Sequence, residues 1–166
     1  IDSISINIFK ELEKNNLIDN SIIIFTSDHG SEKYEHGHWG HASAFTKEQL
    51  KVPFWIYYPK SLTKKIKKIT DHHDVVTTIF SLMGEKYESL NHSIGMNMLS
   101  NNLKDYHIAS GQANWVVYNK NYKINSTIFE GYSYYEITDI DDNPLNEEDN
   151  AMEIMNKYII QSLIDR

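Results

Sequence analysis

The 166 residues contain no cysteine. That rules out a disulfide framework and any thiolate metal site, and it leaves the compartment open. Positive charge is the scarcer sign: 16 Lys and Arg stand against 23 Asp and Glu, a net charge of −7. This balance argues against nucleic acid or an anionic membrane surface as a partner of the chain. No apolar run reaches the length of a membrane span, and no signal peptide is present. The chain opens on Ile1 instead of Met. We therefore read it as an excised part of a longer protein, in which missing targeting segments mean little. The length suits one domain with a real core. Internal repeats and low-complexity segments are absent as well.

What the chain does have is concentrated in Ser21 to His41, SIIIFTSDHGSEKYEHGHWGH. The run Ile22 to Phe25 is β-branched, apolar and without alternation, which predicts a strand covered on both faces in the middle of a parallel sheet. It stops abruptly at Thr26-Ser27-Asp28-His29-Gly30. In open α/β sheets ligands bind just outside the carboxyl ends of the strands, so Asp28 and His29 fall where chemistry is expected. Three more histidines follow within six residues: His36, His38 and His41. A single loop histidine is most often only a polar surface residue. An Asp with up to four imidazoles converging on one loop is a candidate divalent-metal site. Carboxylate and imidazole donors suit Zn²⁺ or Mn²⁺ better than Ca²⁺ or Mg²⁺. His38 and His41 are the stronger candidates, because neighbouring glycines let the backbone approach closely. His36 stands evenly between ligand and bystander.

Around this stretch the pattern predicts an α/β arrangement. Asp2 to Asn16 has helical spacing, and Val52 to Tyr58 reads as a second strand, with Pro53 near its start and Pro59 closing it. Ser61 to Lys68 carries four lysines and reads as a solvated loop. Asp71 to Met83 reads as a helix whose apolar stripe is Val75, Val76, Ile79, Phe80 and Met83, with Gly84 as its stop. Its first turn carries His72, His73 and Asp74. From about Tyr106 the texture changes to an antiparallel meander: His107 to Ser110, Asn114 to Tyr118, Tyr122 to Ile128 and Tyr132 to Thr138. Asn119-Lys120-Asn121 forms a hairpin loop between two of these strands. A last amphipathic helix is expected after Asn146, with Met152, Met155, Ile159 and Leu163 on one face. Residues 1–104 then form the α/β core, and 105–166 the meander and terminal helix of the same domain.

The ordered set IIIFTSDHG, GHWGHASAFTKEQLKVPFWIYYP, ITDHHDVVTTIFSLMG and SIGM, followed by YKINSTIFEGYSYYEITDIDDNP, resembles the C-terminal half of the sulfatase and alkaline-phosphatase superfamily. It is most similar to the membrane-anchored, sulfatase-like proteins of bacterial envelopes. The resemblance implies a sandwich with a mainly parallel central sheet flanked by helices, closed by an antiparallel meander and a terminal helix. It also implies that Asp28 and His29 are paired metal ligands. His41, and with it His38, would then serve a second metal or the substrate's leaving group. His36, His72 and His73 are possible substrate contacts; for the last two an exposed first helical turn is the simpler reading. The expected cofactor is a divalent metal, Mn or Zn ahead of Ca or Mg.

The activity implied is that of a metal-dependent hydrolase or transferase acting on sulfate or phosphate esters, of envelope lipids or glycans. The family's nucleophile and an earlier acidic ligand are not found in this chain, so the 166 residues by themselves are expected to be inactive. Two other readings stand beside it: a non-catalytic envelope module that binds lipid or acts as a scaffold, and a metal-stabilised structural domain. By the same resemblance the parent is extracytoplasmic, and its membrane contact is made by parts outside this chain.

Overall fold

In a computed structural model, residues 2–59, 61–85, 94–102, 104–111, 114–130 and 132–146, with 153, 157 and 158, are described. In chain order the elements are α1 (Asp2–Lys14), a 3₁₀ turn (Ile18–Asn20), β1 (Ile23–Thr26), β2 (Glu32–Lys33), β3 (Trp39–Gly40), α2 (Lys47–Leu50), β4 (Phe54–Tyr57), α3 (His73–Leu82), β5 (His107–Ser110), β6 (Asn114–Tyr118), β7 (Tyr122–Phe129) and β8 (Tyr132–Asp139). The fold is mixed α/β with an antiparallel meander. The chain divides into two compact units, one of residues 1–28 and 52–65, the other of residues 29–51 and 66–166.

The first unit holds α1, β1 and β4. The expectation of a parallel, doubly covered β1 is corrected here. β1 pairs antiparallel with β4, Ile23 opposite Tyr57 and Thr26 opposite Phe54, in a two-stranded ribbon. Its residues run from half-buried to exposed, Phe25 being 37% accessible. An apolar run without alternation says only that both faces tolerate apolar side chains, while the neighbours decide what covers them. Phe9 of α1 meets Tyr57 edge to face at 6.0 Å, and Phe25 lies against Trp55 at 5.5 Å. α1 itself buries no residue.

In the second unit, β5 to β8 form a four-stranded antiparallel sheet in sequence order. Here lie the strands covered on both faces. Val116 and Val117 are adjacent in β6, hence on opposite faces, and both are buried; so are Lys123 and Ile124 in β7. Ile124 stands opposite Val117 on one side and Ile137 on the other, with Trp115, Tyr122 and Leu145 packed around them. The β6–β7 hairpin closes as its sequence demands. Asn119 Oδ1 accepts the N–H groups of Asn121 and Tyr122 at 2.8 and 3.2 Å.

α3 forms where expected but turns a different face inward. Asp74, Thr77 and Thr78 are buried, whereas Val76 and Met83 are 49% and 66% exposed. The buried ridge is polar because it binds backbone: Asp74 Oδ1 accepts the Met96 N–H, Thr78 Oγ1 the Met98 N–H, and Thr77 donates to Gly95 O. Gly95 makes this docking feasible, since a Cβ there would stand 1.8 Å from His73 O. Lys68, placed by sequence on a solvated loop, instead donates to Ser100 O and Asn102 O at 2.9 Å each. Of the expected terminal helix, Met152, Met155, Ile159 and Leu163 lie outside the described residues. Among the described residues no helix is long and apolar enough to cross a membrane.

Candidate functional site

β1 delivers Asp28, which closes the first unit and accepts a hydrogen bond from Ser27 Oγ at 3.4 Å. His29 opens the second unit. Gly30 follows, its N–H donating to Gln49 O at 2.8 Å; a Cβ there would stand 2.0 Å from Glu48 O. Glycine is therefore required where the strand-end loop lies on α2.

The loop that follows is built on Glu32, a buried carboxylate. Its Oε1 accepts the His36 and His38 N–H groups, each at 2.9 Å, and its Oε2 accepts from Thr46 Oγ1 at 2.6 Å and Gln49 Nε2 at 3.2 Å. Burial pushes its pKa up, but the bonds from Thr46, His38, His36 and Gln49 outweigh burial and hold it at about 2. Gly37, at φ +86°, turns the chain between the two N–H donors.

This scaffold separates the four loop histidines into two groups. His29 and His41 stack, ring centroids 4.1 Å apart and planes 13° from parallel. Ring-nitrogen lone pairs lie in the ring plane, so nearly parallel stacked imidazoles do not converge on one ion. Each presents its donors separately. His36 turns instead to Glu48 and Asp142, with Nε2 3.0 Å from Glu48 Oε2 and 3.7 Å from Asp142 Oδ2. His38 is held through its backbone on Glu32.

The histidines of the α3 region have other surroundings. His73 Nδ1 lies 3.2 Å from Asp71 Oδ1, which also accepts the His73 N–H; His72 is exposed at the helix start. Asp71 belongs to a buried network. Lys104 Nζ donates to Asp71 Oδ2 at 2.7 Å and to Asp74 Oδ1 at 3.2 Å, and His107 Nδ1 lies 2.8 Å from Asp71 Oδ2. Burial raises the Asp71 pKa, but the bonds from His107 and His73 and the Lys104 ammonium hold it far below the ordinary carboxylate value. Burial, then the charges of Asp71 and Asp74, push the Tyr118 phenol well up. Asp71, Asp74 and His107 have converging donor atoms, yet the Lys104 ammonium already supplies the cation there.

Glu32, Glu48, Lys123 and Asp142 are the residues that sequence reasoning missed. A glutamate four residues before His36 was a usable signal. No local pattern ties Asp142 to α2, although its Oδ2 accepts the Lys47 N–H across 95 residues.

The Sulfatase family model matches residues 2–85, just over half of the chain. The chain belongs to the sulfatase family. Solved structures share the fold. A phosphonate monoester hydrolase from Silicibacter pomeroyi aligns with a TM-score of 0.71 at 13% identity, over 96% of this chain and 37% of that one. A Bacteroides thetaiotaomicron protein assigned as a sulfatase aligns at 0.62 with 20% identity, over 89% and 36%. A 2-O GAG sulfatase aligns at 0.61 with 20% identity, again over 89% and 36%. The chain thus spans little more than a third of the length of the structures it resembles.

Proposed function

We propose that the protein acts on sulfate or phosphate esters as a divalent-metal-dependent hydrolase or transferase, with Asp28 and His29 as metal ligands. The observation that carries this reading is the family match over residues 2–85, which contains the strand-end Asp28-His29 pair and the His41 ring stacked on His29. One carboxylate and one imidazole on consecutive residues are, by the chemistry of their donor atoms, suited to Zn²⁺ or Mn²⁺. When bound, such an ion neutralises negative charge on the ester. Asp28 and His29 hold it. His41, parallel to His29 and unable to share its ion in that pose, is free in role to take the ester oxygens or the leaving group. His38 is its neighbour in the same part. His36, His72 and His73 are given no substrate contact in this reading.

The nucleophile and an earlier acidic ligand belong, in this proposal, to the length that the solved relatives have and these 166 residues do not. Positioning a nucleophile can be worth about 7–11 kcal/mol of barrier, so its loss should leave the chain without turnover. An envelope location and a lipid or glycan ester as substrate extend the same proposal, supported by the resemblance to envelope relatives. The test has two arms. The 166-residue chain, with Mn²⁺ or Zn²⁺ and aryl sulfate, phosphate monoester or diester, should show no multiple turnover. A longer polypeptide that restores the relatives' length should turn over one of these esters and lose that activity in Asp28→Ala. Turnover by the short chain would overturn the placement of the nucleophile. A longer protein indifferent to Asp28→Ala would overturn the ligand assignment.

A further inference from the structure

Three separate segments, the last of them far along the chain from the other two, bring donors to one place in the second unit. His36 comes from the β2–β3 loop, Glu48 from α2, and Asp142 from the turn after β8. Their ligand atoms all lie within 4.8 Å of one another. We propose that His36 Nε2, Glu48 Oε2 and Asp142 Oδ2 form a divalent-cation site of the Zn²⁺ or Mn²⁺ class, additional to any ion held by Asp28 and His29.

The first argument is geometric. Glu48 Oε2 is buried and accepts no hydrogen bond among the described residues, although His36 Nε2 stands only 3.0 Å away. The pair is close enough to touch but is not aligned for a proton between them. An ion about 2.1 Å from each of two donors separates them by 3.0 Å when the angle at the ion is about 90°, and by 3.7 Å when it is about 120°. Those are the separations from His36 Nε2 to Glu48 Oε2 and to Asp142 Oδ2. Three protein ligands at such angles leave further positions for water or an anion.

The second argument is charge. Glu32, Glu48 and Asp142 are carboxylates joined through this loop, and Glu32 is wholly buried. Among the described residues the only Lys or Arg paired with any of them is Lys123, which lies against Asp142 Oδ1 and donates to Phe45 O. The Lys47 ammonium is occupied with exposed Asp141. Two of the three negative charges therefore have no Lys or Arg beside them among the described residues, and one divalent cation compensates both. A protonated His36 compensates only one.

The third argument is construction. Asp142 sits at φ +73°, a conformation that costs a non-glycine residue something. The turn is fixed by Asp139, whose Oδ1 accepts the Asp141 and Asn143 N–H groups at 2.9 Å and whose Oδ2 accepts from Asn143 Nδ2 at 2.7 Å. Oδ1 of Asp142 faces Lys123, which leaves Oδ2 directed at Lys47 N–H and His36. Because His36 is carried on the Glu32 scaffold with His38, an ion here would also fix the loop that presents His38 and His41.

The experiment is a Zn²⁺ titration of the 166-residue chain by calorimetry, with His36→Ala, Glu48→Gln and Asp28→Ala alongside. The first two variants should each weaken one equivalent by at least roughly tenfold, and Asp28→Ala should leave that equivalent intact. Unchanged binding in His36→Ala and Glu48→Gln would overturn the site; it would then be a His36 ion pair with two carboxylates. Should either variant fail to fold, Mn²⁺ added to the unaltered protein decides. Paramagnetic broadening centred on the amides of His36, Glu48 and Asp142 supports the site, and broadening confined to Asp28 and His29, or absent, overturns it.

Discussion

Glu32 accepts four hydrogen bonds while fully buried, so its ionised form is favoured in the folded state and not in the unfolded one. With its pKa lowered from 4.5 to about 2, its contribution is complete above pH 4.5 and lost as pH falls from there to 2. Asp71, also lowered, adds to the same acid limb. Urea denaturation as a function of pH should therefore show stability falling through that window. In Glu32→Gln the fall should be shallower. At pH 7 the same variant should be less stable by about 1–3 kcal/mol, since its amide NH₂ faces donors in place of an acceptor. An acid limb identical to that of the unaltered protein would show that Glu32 stays paired at low pH. The histidine sequence advertised a metal loop but was silent on this carboxylate, because what makes Glu32 important is the set of N–H groups that the fold aims at it.

At the scale of elements, α3 tests which face is inward. Thr78 Oγ1 accepts the Met98 N–H and donates to Asp74 O, so Thr78→Val leaves the buried Met98 N–H without its acceptor and should cost about 1–3 kcal/mol. Val76→Thr, on the 49% exposed side, should stay within about 0.5 kcal/mol. Chemical denaturation of both variants measures the contrast, and the reverse order would restore the apolar stripe as the packed face. The helix was legible as a helix, from Asp71 to Gly84, because periodicity depends on spacing alone. Its orientation was not, since a backbone segment docked on Asp74, Thr77 and Thr78 leaves no mark in the helix's own sequence. The meander was read nearly residue by residue from its alternation and its Asn-rich turn. The run Ile22 to Phe25 misled for the opposite reason: composition reports what a strand tolerates, and Val116-Val117 in β6 turned out to be the stretch with neighbours on both sides. Asp28, His29 and His41 stood out by spacing, whereas the partnership of His36 with Asp142 spans the chain and had no local signature.

At the scale of the whole molecule, the buried apolar side chains among the described residues belong to the second unit: Phe45, Met98, Tyr106, Val116, Val117, Ile124 and Ile137. The first unit instead shows Ile4, Leu17, Trp55 and Leu62, between 50% and 92% exposed. Such surface promotes association. Sedimentation velocity of the 166-residue chain should show concentration-dependent self-association that Trp55→Ser with Leu62→Ser reduces; a monomer at all concentrations would refute it. The β5–β8 sheet has a consequence in time. Its strands pair only with their neighbours in sequence, so each hairpin closes over a short loop and can form within microseconds to milliseconds. The turn carrying Asp142, by contrast, meets Lys47 across 95 residues and has a long loop to close. Pulse-labelled amide exchange during refolding should find β6 and β7 protected first and the Glu32–His41 loop last. The histidines, conspicuous in the sequence, would then be the final part of the second unit to take their places, on a sheet already built.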